Sequence, residues 1–292
     1  MWNTHFCVNV GGIFNIPLEE ELRIIKEVGF DGFFTNWNKA GCLDEPRALA
    51  DKLGLIYQSV HAPFCRAAEM WTPEYNDAAN ELIECVRDAA AHQVPIVVMH
   101  AFIGFDDHSP NEYGLASFRR VAEEAGKLGV KIALENTEGE EYLAALMKAL
   151  ADLDNVGFCL DTGHEMCYNH SADMLSLYGD RLIATHINDN LGIRDYGGKT
   201  TWIDDLHLLP FDGAVNWEDN MCRLNRAHFD GPLTFELNAH HGKPNRHEND
   251  IYADLSPRMF YTLAYMRACK LARLREDLRK RRQKRATGAA SC

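Results

Sequence analysis

A single-domain (β/α)8 barrel is the fold class this sequence predicts, on three observations. Short apolar, β-branched or aromatic runs alternate with longer segments of helical period from one end to the other, the pattern of a parallel sheet with crossover helices. About eight such strand and helix units follow one another with no linker between them, which suits a closed barrel better than an open sheet. The length of 292 residues also suits one barrel, because this architecture uses about 250 residues as a single domain.

Each unit has its own signals. The first strand is expected at His5–Val10, followed by Gly11-Gly12 and a helix from Pro17 to Val28 that Gly29 ends. Strand two is Gly32–Thr35 with a helix over Pro46–Leu53, and strand three is Leu55–Val60 with a helix over Pro73–Ala91. Strand four, Ile96–Met99, leads to a helix over Asn111–Leu128, and strand five, Lys131–Leu134, to one over Glu140–Leu150. Strand six is Val156–Leu160, with a helix over Ala172–Tyr178. Strand seven is Leu182–Thr185, followed by a long loop and a helix over Asn216–Ala227. Strand eight is Pro232–Phe235, and the last helix begins near Ser256-Pro257. The barrel is expected to cover residues 1–275. Residues 276–292 are expected to form a helical, basic C-terminal tail, where the spacing of Leu271, Leu274 and Leu278 gives way to the run Arg279–Arg285, read as a solvated helix end.

The composition is that of a globular chain able to bury a sizeable core, with 46% hydrophobic and 25% charged residues. A formal charge of −13 disfavours a phosphate backbone as partner, but carboxylates gathered in one cleft suit a divalent cation. The nine cysteines occur singly, without a CxxC pair, which points to a reducing compartment. Neither a leader-like N-terminus nor a membrane-length apolar stretch is seen. The expected location is the cytoplasm, without membrane association.

The chemistry is concentrated where the strands end. His61 follows strand three, His100 strand four, Glu135 strand five, Asp161 strand six with His164 one turn on, His186 strand seven and Glu236 strand eight. In a barrel all these ends open on one face, so the residues converge on one cleft. A lone His or Glu at a strand end is usually structural or solvated, but six such ends make a site. Crowded carboxylates repel one another unless a cation or shared protons neutralise them. Glu135, Asp161, His186 and Glu236 offer mixed oxygen and nitrogen donors that suit Mn²⁺, Zn²⁺ or Co²⁺ and, less well, Mg²⁺. Asp205 and His207, with His164, form a candidate second cluster for metal or substrate. Arg194 and Lys199 are candidates to hold a substrate hydroxyl, carboxylate or phosphate. Trp37, Phe64, Phe102 and Trp202 are candidate apolar walls. His92, His170 and His228 are weaker candidates, as is the loop with His240-His241 and His247, where a polar lid is the simpler reading. Gly11-Gly12 lacks dinucleotide-binding spacing, so no NAD is expected.

Several segments carry a family resemblance: His61-Ala62-Pro63-Phe64, Leu134-Glu135-Asn136-Thr137, Asp161-Thr162-Gly163-His164, His186-Ile187-Asn188-Asp189, Asp205-Leu206-His207-Leu208-Leu209-Pro210 and Phe235-Glu236. Together they resemble the xylose-isomerase-like TIM-barrel superfamily, up to about Cys269. The sugar isomerase and epimerase branch implies one divalent metal, Mn²⁺ foremost, on Glu135, Asp161, His186 and Glu236. It also implies Glu135 and Glu236 as the catalytic acid and base on opposite faces of a small carbohydrate, with proton transfer through an enediolate. The endonuclease IV branch implies up to three Zn²⁺ ions, held by those four together with His61, His100, His164, Asp205 and His207, and hydrolysis of abasic DNA. Nucleic acid is the less favoured partner, because Phe64-Cys65-Arg66-Ala67 and the loop from Thr35 to Gly41 offer few cations. In addition, His207 to Gly213 followed by Asn216-Trp217 resembles the sugar isomerases more closely. Lyase or dehydratase chemistry on the same barrel is a further alternative, and a homo-oligomer is compatible with the sequence.

Overall fold

The computed structural model describes residues 4–105, 109–194, 200–240 and 247–289, with side chains as far as 284. Its strands are β1 (Phe6–Asn9), β2 (Gly32–Asn36), β3 (Ile56–His61), β4 (Ile96–His100), β5 (Lys131–Glu135), β6 (Val156–Asp161), β7 (Leu182–His186) and β8 (Leu233–Phe235). Its helices are α1 (Leu18–Val28), α2 (Asp44–Leu53), α3 (Asn76–Ala91), α4 (Glu112–Lys127), α5 (Glu140–Ala149), α6 (Thr162–Cys167), α7 (Met174–Tyr178), α8 (Trp217–Arg226) and α9 (Pro257–Ala289). All eight expected strands form, each within a residue or two of its expected span. Short α6 and a 3-10 turn at Ala67–Trp71 were not anticipated, because six or fewer residues carry too little periodicity to read.

The sheet is parallel and runs in the order β7-β6-β5-β4-β3-β2-β1-β8. Closure comes just beyond the end of β7, where Ile187 bridges Phe235. The Ile187 N–H donates to the Thr234 carbonyl at 2.8 Å, and the Glu236 N–H to the Ile187 carbonyl at 3.2 Å. The result is a (β/α)8 barrel wrapped by its helices.

Local chemistry explains the elements. Helix α1 buries Leu22, Ile24 and Ile25, places Glu19 to Glu21 in its first turn, and ends at Gly29, whose φ of 124° only glycine tolerates there. Asn111 caps α4 by accepting from the Tyr113 and Gly114 N–H groups, and Asn216 caps α8 by accepting from Asp219. The outward strand faces, among them Phe6, Val8, Val97, Met99, Ile132, Leu134 and Phe158, belong to the large core between sheet and helices. Inside the barrel, side chains alternate along each strand. A layer of small residues, Val98, Ala133, Cys159 and Ala184, packs together, directly below the layer formed by His100, Glu135, Asp161 and His186. The bulky exception is Phe34, which stacks on the His186 ring with centroids 4.7 Å apart and an 11° interplanar angle. Helix α9 buries Phe260, Tyr261, Ala264, Ala268, Leu271 and Leu278.

Candidate metal centre

His61, His100, Glu135, Asp161 and His186 are the last residues of β3 to β7, and Glu236 follows β8. The sequence pattern placed them just past the strands. The first five are instead the final ladder positions, with His100 opposite Glu135 and Asp161 opposite His186, while Glu236 lies just past β8 as expected. A polar side chain breaks the hydrophobic run without breaking the backbone pairing. Glu135, Asp161 and His186 are fully buried, at 0% exposure.

Of four groups of donor atoms among the described residues, each within 4.8 Å, three consist of side chains that the sequence singled out. The central one is Glu135, Asp161, His186 and Glu236. Here His186 Nδ1 lies 2.7 Å from Glu135 Oε1 and 3.0 Å from Glu236 Oε2. A second group joins His61 and His100, whose Nε2 atoms lie 3.2 and 3.4 Å from Glu135 Oε2. Glu135 therefore turns one oxygen to each group. The third is His164, Asp205 and His207, with Asp205 Oδ1 3.4 Å from His164 Nε2 and 2.9 Å from His207 Nε2. Cys159 also lies within reach of Glu135 and His186, a placement the sequence reading missed. Its position two residues before Asp161 on one strand was the available signal. Burial, and then the surrounding carboxylates, push that thiol well above its ordinary value.

The motif neighbours hold these groups in place. Asp161 caps α6, its Oδ1 accepting from the His164 N–H at 2.6 Å. Asn136 accepts from the Asp161 N–H at 2.7 Å and donates to the Asp161 carbonyl at 2.9 Å. Past β7, Asp189 accepts from the backbone of Asn190, Phe211 and Val215 and from Trp217 Nε1. Its own backbone exchanges two hydrogen bonds with Leu208. That clamp fixes the loop presenting Asp205 and His207, whose φ is 50°.

Electrostatics follow from burial and proximity. Burial pushes the Glu135 carboxyl up, but His186, His100 and His61 outweigh it and hold it well below the usual range. Desolvation pushes the half-buried Glu236 carboxyl up, but His186 and His207 prevail and hold it at about 2. Asp161 is pushed up to about 6 by burial and by the charges of Glu135 and Glu236, against the opposing pull of His164 and His207. Burial lowers His100, whereas Asp205 overrides burial to raise His207 to about 9. Three carboxylates around one imidazole, with one of them driven toward its neutral form, fit a divalent cation. The buried Nε2 of His186 has no hydrogen-bond partner among the described residues.

Among the described residues, the other candidates add no donor to these groups. Arg194 pairs with Glu248. Lys199 and His241 fall outside the described residues. Phe64 is half-exposed and stacks on His100, and Trp202 is exposed beside the Asp205 loop. Trp37 is buried and donates to Asp88, and Phe102 stacks on Tyr142. His92 binds Asp44 and Asp88 between helices, His247 pairs with Asp250, and His170 approaches Thr200. His228 sits in the turn after α8 with a φ of 54°.

The family model described as xylose isomerase-like TIM barrel matches residues 22–259. The chain belongs to that family. Within the xylose isomerase-like family context, the chain is 30% identical over 262 residues to an uncharacterised protein, y4fM, of Sinorhizobium fredii, covering 75% of this chain and 80% of that one. Among solved structures, it resembles D-psicose 3-epimerase from Clostridium cellulolyticum H10 with D-tagatose (TM-score 0.70, 14% identity, 92% of this chain and 99% of that one). It also resembles the IolI protein with a bound zinc atom (TM-score 0.69, 18% identity, 92% and 98% covered). At these identities the structural likeness speaks for the xylose isomerase-like fold.

Proposed function

We propose that this chain is a divalent-metal-dependent isomerase or epimerase of a small carbohydrate, a sugar, sugar phosphate or polyol. The observation that carries the reading is the meeting of Glu135 and Glu236, from β5 and β8, at the single atom His186 Nδ1, with Asp161 completing the group. A cation held by these four residues would supply the positive charge that makes a carbon-bound proton beside a carbonyl acidic. Glu135 and Glu236 reach the same point from separate strands, and in the roles that the family resemblance implies, one carboxylate takes the proton from one face of the substrate. The other returns a proton on the opposite face, passing through an enediolate. Burial of Glu135 and Asp161 excludes water that would compete for the proton. Structural neighbours titled D-psicose 3-epimerase, L-ribulose 3-epimerase and 3-keto-D-glucoside 4-epimerase support this choice of chemistry. Mn²⁺ is the preferred ion, with Zn²⁺, Co²⁺ and Mg²⁺ as alternatives. We place the protein in the cytoplasm because its described cysteines are all free. No helix among the described residues is long and apolar enough to cross a membrane.

A second reading is a zinc phosphodiesterase acting on abasic DNA. It is favoured by one observation, the two further donor groups flanking the centre, and opposed by the net charge of −13. Elemental mass spectrometry of protein purified without added metal or chelator, followed by product analysis on a panel of ketoses, separates them. About one ion per chain and interconversion of a ketose are the outcomes expected of the isomerase. Two or three zinc ions with cleavage of an abasic-site duplex would replace it by the phosphodiesterase.

A further inference from the structure

We propose that Asn188 is a positioning residue for the central group, fixing through its side-chain amide the oxygens that Asp161 presents to a cation. The inference rests on reading this group as a metal centre. The terminal torsion of an aspartate is broad, so a carboxylate keeps a defined orientation only when both oxygens are held. In Asp161 they are. Oδ1 accepts from the His164 backbone N–H at 2.6 Å, and Oδ2 accepts from Asn188 Nδ2 at 2.7 Å. Each oxygen thereby keeps a lone pair for a cation, and neither can rotate away.

Asn188 is locked in its turn. Its backbone N–H donates to the Thr162 hydroxyl at 3.0 Å, and that hydroxyl donates to the Asn188 carbonyl at 2.6 Å. The amide lies against Gly163, where an added methyl group would collide with Asn188 Oδ1. Gly163 is helical, so here glycine provides space for the amide. The orientation of the amide follows from charge, since its flipped form would set an oxygen against Asp161 Oδ2. Asn188 is fully buried, and its Oδ1 has no hydrogen-bond partner among the described residues. Stability alone disfavours such an unpartnered oxygen. A role toward Asp161 accounts for it, as outer partners of metal-binding carboxylates commonly tune affinity.

The test is Co²⁺ titrated into metal-free full-length protein, followed by calorimetry and visible absorption. The variants are Asn188→Ser, Gly163→Ala and the two combined, with far-UV circular dichroism to establish that each is folded. Asn188→Ser is expected to weaken binding about 10- to 100-fold and change the Co²⁺ absorption band. Gly163→Ala, which displaces the amide without touching Asp161, should produce the same change, and adding it to Asn188→Ser should cost no further affinity. If one single variant does not fold, the other decides. Wild-type affinity and an unchanged band in a folded variant would overturn the positioning role while leaving the metal centre standing. Absence of Co²⁺ binding by the wild-type chain would instead remove the metal reading and this inference with it.

Discussion

Glu135 has two oxygens and spends them on different neighbours, Oε1 on His186 and Oε2 on His61 and His100. Glu236 shares only His186 at close range. If the two carboxylates are the acid and base, replacing either by its amide keeps the shape and removes the proton acceptor. Glu135→Gln and Glu236→Gln are each expected to lower kcat by about 10²- to 10⁴-fold with circular dichroism unchanged. Undiminished turnover in either variant would sink the assignment. Phe34 is the bulky side chain on the inner barrel face and lies flat on His186. Phe34→Ala should therefore cost about 3–5 kcal/mol of stability, read from urea unfolding, because small residues cannot close over the gap. The donors of the first two groups were legible from their strand-end positions, and His164, Asp205 and His207 from the segments that follow β6 and β7. Asn136, Asn188 and Asp189 were visible only as motif neighbours. Their hydrogen-bond partners come from other strands and loops, and nothing local to them announces those partners.

The strands and principal helices could be read because each carries a full period of apolar residues between turn signals. Tertiary hydrogen bonding set what could not be read. Helix α6 owes its start to the Asp161 cap, and the loop from Leu208 to Trp217 owes its path to Asp189. Asp189→Ala strips four donors of their acceptor and is expected to destabilise the fold by about 3 kcal/mol. A melting temperature equal to wild type would contradict the clamp. Helices α2 and α3 are linked by His92, whose Nε2 lies 2.7 Å from Asp44 and whose Nδ1 lies 2.8 Å from the Asp88 carbonyl. Burial pulls the pKa of this imidazole down, but the bonds to Asp88 and Asp44 prevail and raise it. The folded chain thus holds the His92 proton to higher pH than the unfolded chain does. The resulting stabilisation is complete below about pH 6.5 and is lost as the pH rises through the folded value. His92→Gln should accordingly lower the urea midpoint at about pH 6 and have a smaller effect at about pH 9. An equal effect at both would show that the proton contributes nothing.

Over the whole molecule, acidic and basic charges are unevenly placed, with the cationic run confined to the end of α9. Burial along that helix persists to Leu278 and then stops, since residues 279–284 are exposed. Beyond it Arg279 pairs with Asp230 at 3.6 Å, Arg281 with Glu218 at 3.7 Å and Lys280 with Glu276 at 2.6 Å, all at the surface, where such pairs contribute little. Removing residues 282–292 should leave the melting temperature unchanged, whereas removing α9 from Pro257 should prevent folding by exposing Phe260 and Tyr261 to water. A last consequence concerns the seam between β7 and β8. The Ile187 and Glu236 amides that close it flank His186 and Glu236, so separating the seam pulls the centre apart. Deuterium uptake at these two amides is therefore a clock for the whole site. Uptake that slows on adding Co²⁺ would show a cation tying His186 to Glu236 across the seam, and unchanged uptake would argue against one.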